Sequence, residues 1–469
     1  MTSGVPAGIH CNGLQVMQEK KKGGKSMTTT VVIGIIAIVV AFALLIVLCF
    51  RGMSAMYVAP LCALVVAVAC GLPLVDTMVN TFAGGAGGFV IGLLPVFLMS
   101  ILIGRIYIAS GAATNIAVTL MNAFAKNASV KRRQTVGVII SIAVSWAMCF
   151  GGIDTFCALF TLFPVILTVC GEANIPRKYM IGIITCGVSG AACTPGAPLV
   201  ANSIPMGILG TSSVAGAVPG FIGAAIVLIG GGFYLCTSIH RATDRGETFD
   251  PGKVAFAPVD PQRKYPPFVL ALLPLILVVV LFNITNSLAP SLLAGFVLAL
   301  VILTPFIKPE EGLGKGRTLI NTLNEGGKST AEALLLGGIV AGFAAVVQAT
   351  DAYNFLIDGV THLNIPAPLL VVIAVAILVG LTGSPPVALQ IVVPVLATTV
   401  ALEPAAIHRI ATITASTFDT LPYQGAIIIM LGMADLKHRD GYPPVMMCTV
   451  VMTGLAAVVA ALLFATGLF

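Results

Sequence analysis

"TITASTFDTLPYQGAIIIMLG", Thr412–Gly432, lies in a long apolar region, yet it carries Asp419, Pro422 and the hydroxyls of Ser416, Thr417 and Thr420. An ionised carboxylate in hydrocarbon is expensive. Proline removes a backbone donor and blocks a continuous helix. The stretch therefore reads as a membrane helix interrupted near its middle. An earlier stretch has the same build: "TCGVSGAACTP", Thr185–Pro195, aligns with Thr412–Pro422 at an offset of 227 residues. Two further pairs recur in the same order. "NTFAGGAGG" from Asn80 matches "NTLNEGGKS" from Asn321, and "ALFTLFPV" ending at Val165 matches "ALQIVVPV" ending at Val395. Ordered self-similarity with slowly drifting offsets marks a duplicated unit.

Composition fixes the environment of that unit. Of 469 residues, 58% are hydrophobic and only 9% charged, against about 25% charged in soluble domains. Val31–Phe50 is uncharged and long enough to cross a hydrocarbon core of about 30 Å. The apolar runs are continuous rather than alternating, which argues against a β-barrel. The expected fold is an all-α polytopic protein of the inner or plasma membrane. The net charge of +6 does not point to nucleic acid, because the basic residues sit in short loops and there is one Trp. The eleven cysteines, such as Cys49, Cys62, Cys149 and Cys186, fall mostly in apolar segments without a C-x-x-C pair. They read as small reduced hydrophobes, so no metal and no cofactor is expected. No G-x-S-x-G, H-E-x-x-H or phosphate-binding loop occurs, which weighs against an enzyme.

Four regions follow: a disordered tail over 1–27, a first transmembrane repeat over 28–239, a cytoplasmic linker over 240–266 and a second repeat over 267–469. The tail carries Lys20, Lys21, Lys22 and Lys25; it reads as preceding an uncleaved first span, with Met27 an alternative start. Each repeat reads as two plain spans, a third span with an amphipathic extension, a Gly/Pro-marked hairpin, a broken span and a final span. The expected positions are 31–50, 54–76, 84–108 with 110–125, 137–170, 179–209 and 213–238. In the second half they are 267–286, 288–306, 332–350 with 352–364, 367–402, 407–432 and 445–468. If the hairpins re-enter without crossing, each repeat crosses five times and the second is inverted. The basic residues agree: Arg51, Lys126, Lys131, Arg132, Arg133, Arg177, Lys178, the basic residues of the linker, Lys308, Lys315, Arg317, Lys437 and Arg439 then share the inner face. Arg409 is left in an outer loop.

Inverted repeats with interrupted helices place a substrate near the midplane, where the breaks meet. The hairpin tips are "CFGGIDTFC" (Cys149–Cys157) and "GLTGSPPVA" (Gly380–Ala388); the breaks are "AACTPGAPLVANSIP" (Ala191–Pro205) and "STFDTLPYQG" (Ser416–Gly425). Half-helix N-termini attract anions, and Ser or Thr at the breaks can meet substrate hydroxyls. Candidate substrate contacts are Gly151, Gly152, Thr155, Thr194, Gly196, Asn202, Gly383, Ser384, Ser416, Thr417 and Thr420; candidate ion-coupling residues are Asp154 and Asp419. Each has a structural alternative: the hydroxyls and both aspartates as half-helix caps, Asn202 as an inter-helix contact. His362 and His408 read as solvated surface, and Glu325, Lys328 and Glu332 as surface pairing.

"RGMSAMYVAPLCALVVAVACGLPLVDTMVNTFAGGAGGFVIG" (51–92) and "LMSILIGRIYIASGAATNIAVTLMNAF" (98–124) resemble the gluconate permease family of the ion-transporter superfamily. "TPGAPLVANSIP" and "STFDTLPYQGA" look more like relatives that carry other small organic acids. The resemblance implies two inverted five-helix repeats, each with a re-entrant hairpin, a homodimer, and an elevator motion of hairpins and broken spans against a scaffold of plain spans. It also implies H⁺-coupled symport of a small organic anion, with Na⁺ coupling or antiport the alternative. "CTPGAP" stands where sugar-acid members are expected to carry a histidine-proline-rich break, which opens the substrate to 3-hydroxybutyrate-like hydroxy acids or short carboxylates.

Overall fold

The structure, a computed structural model, describes residues 29–467 apart from 52, 126–127, 154, 253–262, 311, 362–364, 383 and 423. Regular structure among the described residues is helical throughout. The first half holds α1 (Thr29–Phe50), α2 (Ala55–Ala69), α3 (Leu74–Ser110) and α4 (Ala112–Ala125). The hairpin arms α5 (Val130–Phe150) and α6 (Thr155–Ala173) come next. The broken span follows as α7 (Met180–Cys193) and α8 (Val200–Leu209), and α9 (Ala217–Asp244) closes the half.

The second half repeats the succession. It runs α10 (Phe268–Thr285), α11 (Leu288–Leu303), α12 (Lys315–Gln348) and α13 (Asp351–Thr361), then the arms α14 (Ala367–Thr382) and α15 (Pro385–Thr399). The broken span is α16 (Pro404–Ala415) and α17 (Gly425–Met433), and the last helix is α18 (His438–Ala465). Among the described residues, seven helices are long and apolar enough to cross a membrane: α3, α5, α9, α10, α11, α12 and α18. The chain is a multi-pass membrane protein.

Packing follows the same exchange of halves. Helix α2 packs on α12 as α11 packs on α3, and α1 meets α13 as α10 meets α4. The half-helix α8 lies on α15, while α17 lies on α6. The pairs α3/α12, α7/α16 and α9/α18 contact their own counterparts. Even the final helices match, since α9 and α18 each contain a π-helical turn, Ile226–Gly230 and Met447–Val451.

Helices α3 and α12 form the central contact. They approach closely because glycine removes the side chains between them, a device membrane helices use where burial of apolar surface supplies no drive. A Cβ on Gly85 would stand 2.6 Å from Ala345 Cβ, and one on Gly342 would stand 2.6 Å from the Phe82 carbonyl oxygen. Both helices begin earlier than the sequence reading placed them, at Leu74 rather than 84 and at Lys315 rather than 332. The reason is the same in each: a polar first section (Asp76 and Asn80; Asn321, Glu325 and Lys328) continues the apolar helix without a stop. Lys328 pairs with Glu325 at 2.6 Å on the exposed face, as the surface reading had it.

Gly342→Leu should destabilise the purified protein by about 1–3 kcal/mol, because the atom it meets belongs to backbone and cannot move aside. Thermal unfolding in detergent checks this. Gly327→Leu on the same helix is the control, since nothing lies within 4 Å of the added Cβ, and its midpoint should stay near wild type.

Candidate functional site

The first hairpin tip and the first break meet against α10. Gly151 ends α5, and a Cβ there would lie 2.5 Å from Leu275 Cβ. Gly152 has φ +91, which only glycine adopts without strain; it faces Val278, Leu292 and Pro198. Pro198 belongs to the break, so tip and break share this corner. Thr155 opens α6. Asp154 and Gly383 lie outside the described residues.

At the break itself, α7 stops because Pro195 cannot continue it and Gly196 takes φ +80. Helix α7 is buried along its whole length, so the freed polar groups must find protein partners. Thr194 Oγ1 donates to the Gly190 carbonyl (2.7 Å) and accepts from Trp146 Nε1 (3.1 Å). The Gly196 N–H donates to the Ser213 carbonyl (3.0 Å), and the Gly196 carbonyl accepts from Asn283 Nδ2 (2.9 Å). Asn283 Oδ1 in turn accepts from Ser213 Oγ (2.9 Å). Asn202, one turn into α8, sends Nδ2 to the Ala197 and Ser213 carbonyls (3.0 and 3.1 Å).

The remaining partners come from the other half. His408 Nε2 lies 2.9 Å from Asn202 Oδ1 and its Nδ1 lies 2.6 Å from Thr211 Oγ1. Since Asn202 already donates through Nδ2, its oxygen accepts, which places the proton on Nε2. Arg409 Nε donates to the Ala215 carbonyl (2.8 Å) and Nη2 to that of Ser213 (3.3 Å). Thr412 Oγ1 reaches the Ala201 carbonyl at 3.2 Å. One face of α16 is thus bonded to the first break and to the loop after α8.

The far end of α16 opens into the second break, about 10 Å further along the helix axis. Ser416 caps α16, and Ser416, Thr417 and Thr420 are buried, while Asp419 and Pro422 are half-buried. Thr420 shares a hydroxyl–hydroxyl bond with Thr449, which sits in the π-helical turn of α18. The Pro422 carbonyl lies 3.1 Å from His438 Nε2. Thr417 Oγ1 and Gln424 Nε2 are buried without a partner among the described residues. Ser384, nearly buried, stands at the N-cap position of α15, ahead of two prolines.

The structure therefore gathers Gly151, Gly152, Thr194, Gly196 and Asn202 at one corner, and Ser416, Thr417, Asp419 and Thr420 at another, with α16 between them. Two sequence expectations are overturned. His408 is fully buried rather than on a solvated surface, and Arg409 is an interior residue of α16 rather than an outer-loop basic residue. Helix α16 starts at Pro404, three residues earlier than expected, which carries both side chains inward. The repeat offset of 227 held the signal, because it maps them onto Ile181 and Gly182, inside the buried α7. Thr211, Ser213 and Asn283 carried no such mark. His362 lies outside the described residues.

No family model matches the chain. Over 92% of its length, and 99% of the other protein's, it is 24% identical to an uncharacterized transporter of Bacillus subtilis (strain 168), YxjC. It is also 32% identical over 115 residues to a gluconate permease of Bacillus licheniformis, a match covering 24% of this chain and 23% of that one. Both relatives are transport proteins rather than enzymes. They bear out the resemblance seen in the sequence and support a gluconate permease-like transporter family. Among solved structures, the Alcanivorax borkumensis YdaH transporter aligns at 16% identity over 84% of this chain and 89% of that one, with a TM-score of 0.47; that likeness is too loose to argue from.

Asn202→Ala should lower the thermal midpoint clearly, since it strips the buried His408 N–H of its acceptor and takes one donor each from the Ala197 and Ser213 carbonyls, which keep others. The orphaned N–H alone costs about 1–3 kcal/mol. Ser203→Ala on the next position, which loses only a local bond to Val200, should shift it far less.

Proposed function

We propose that this transporter is a secondary active importer of a small organic anion, driven by protons. The observation that carries the reading is the pair of buried helix breaks at repeat-related positions, with one helix, α16, serving both. Interrupted helices persist at membrane depth only where protein or a wet cavity receives their polar groups, and in secondary transporters such breaks hold substrate and coupling ion. The named gluconate permease relative favours a carboxylate substrate. Sugar acids such as gluconate, hydroxy acids resembling 3-hydroxybutyrate and short carboxylates all fit that class.

In this reading the substrate lies between hairpin tips and breaks, close to Thr194, Gly196 and Asn202 on one side and Ser416, Thr417 and Thr420 on the other. Asp419 is the coupling group, with Asp154 as its candidate partner from the first hairpin. A half-buried aspartate among hydroxyls can exchange a proton as its surroundings change. The second repeat is inverted relative to the first, which places the basic loops on the cytoplasmic face. Hairpins and broken spans move as one body against the plain spans, in a homodimer. Support for that division comes from the corner where Gly151, Gly152 and Gly196 meet α10 and α11, which would be its sliding boundary.

In proteoliposomes with an inward proton gradient, wild type should accumulate labelled D-gluconate or 3-hydroxybutyrate above the outside concentration. Asp419→Asn should lose gradient-driven accumulation while retaining exchange of substrate across the membrane. Accumulation that follows a Na⁺ gradient and ignores pH contradicts proton coupling. Full accumulation by Asp419→Asn removes that residue from the coupling step.

A further inference from the structure

Arg409 is a cation that the fold alone does not require. The offset that aligns Thr185 with Thr412 (412 − 185 = 227) places Arg409 on Gly182 of the first repeat. Their surroundings correspond as well. A Cβ on Gly182 would lie 2.6 Å from Pro444 Cβ in α18; in the other half, a Cβ on Gly220 of α9 would lie 2.9 Å from Arg409 Cδ. The same inter-helix contact is therefore built once with a glycine on the broken span and once with an arginine.

The space for that arginine is cut from its neighbours. Gly216, at φ +59, and Gly220 flank its stem, and a Cβ on Gly216 would meet Arg409 Cβ at 2.7 Å. The side chain is fully buried. No carboxylate among the described residues forms an ion pair with it. Two of its nitrogens donate to the Ala215 and Ser213 carbonyls, and Nη1 has no hydrogen-bond partner among the described residues. A guanidinium carries five N–H donors in a planar fork suited to a carboxylate. A buried, unneutralised charge is strongly unfavourable unless something pairs with it.

The ligand's position follows from the partners already in place. Arg409 Nη2 shares the Ser213 carbonyl with the Gly196 N–H and Asn202 Nδ2. The guanidinium thus lies against the first break, where a Cβ on Gly220 would meet both Arg409 Cδ and Pro195 Cγ. We infer that Arg409 is the counter-ion for a ligand carboxylate, received through its free Nη1 edge beside the first break. The inference rests on the transport reading in one respect, that the carboxylate bound here is the one carried. It assigns the charge of the substrate to Arg409 and leaves Asp419 to the coupling ion, so these two charged residues, which map onto Gly182 and Ala192 of the first repeat, have separate tasks.

Purified wild type and Arg409→Gln can be compared in detergent with sodium D-gluconate, (R)-3-hydroxybutyrate, acetate or chloride at equal ionic strength. At least one carboxylate should raise the wild-type melting temperature above the chloride value, and titration calorimetry should find that salt bound about tenfold or more weakly by Arg409→Gln. The inference is overturned if no carboxylate stabilises wild type, if both proteins bind it equally, or if chloride stabilises as well as any carboxylate. Should Arg409→Gln not yield folded protein, Arg409→Lys carries the test: it keeps the charge but loses the fork, so affinity should still fall, and unchanged affinity overturns the inference. Arg409-dependent binding in a wild-type protein that accumulates nothing would instead sink the transport reading and leave this one standing.

Discussion

A backbone interrupted at membrane depth has no lipid partner to turn to, and every group it frees must be met by protein or by a wet cavity. The Ser213 carbonyl shows how far that constraint reaches. It accepts from the Gly196 N–H at 3.0 Å, from Asn202 at 3.1 Å and from Arg409 at 3.3 Å. Those three donors belong to the break, the half-helix after it and the opposite half of the chain. The Gly196 carbonyl depends on Asn283, from α10. One break thus fixes the relative positions of α8, α10, α16 and the loop before α9. The glycine-lined approach of α3 and α12 leaves the two halves close enough for such bonds to form.

The halves share a plan without sharing chemistry. Helix order, packing partners and the π-helical turns of α9 and α18 all correspond. At the breaks the correspondence stops with the prolines: Asp419 maps onto Ala192 and Arg409 onto Gly182. A duplicated scaffold needs neither charge, and hydrocarbon penalises both. Their presence in one half only is what the proposed substrate and ion roles account for.

Much of this was legible in the sequence. The repeat matches at Asn80/Asn321 and Thr185/Thr412 located both long helices and both broken spans, because Gly and Pro act locally on the backbone. The hairpins emerged for the same reason. Helix starts were less legible, since the polar leads into α3 and α12 carry no stop signal. The site was legible in part. Thr194, Gly196 and Asn202 announce themselves as polar or flexible residues at a break. Asn283 and Ser213 do not, because they sit at ordinary helix ends and loops and gain their role only from tertiary contact. His408 and Arg409 were misplaced for an electrostatic reason: a basic pair near a span end reads as solvated unless the repeat is used to show that its counterpart is buried.

In the proposed transport cycle the two breaks line one site that faces each side of the membrane in turn. The most direct measurement is thiol labelling of Thr194→Cys and, separately, Thr420→Cys in vesicles, on a background lacking the native cysteines. Each position should react with a membrane-impermeant reagent from both faces, and saturating transported acid should slow the reaction at both. Labelling from one face only, or labelling indifferent to the acid, would contradict it.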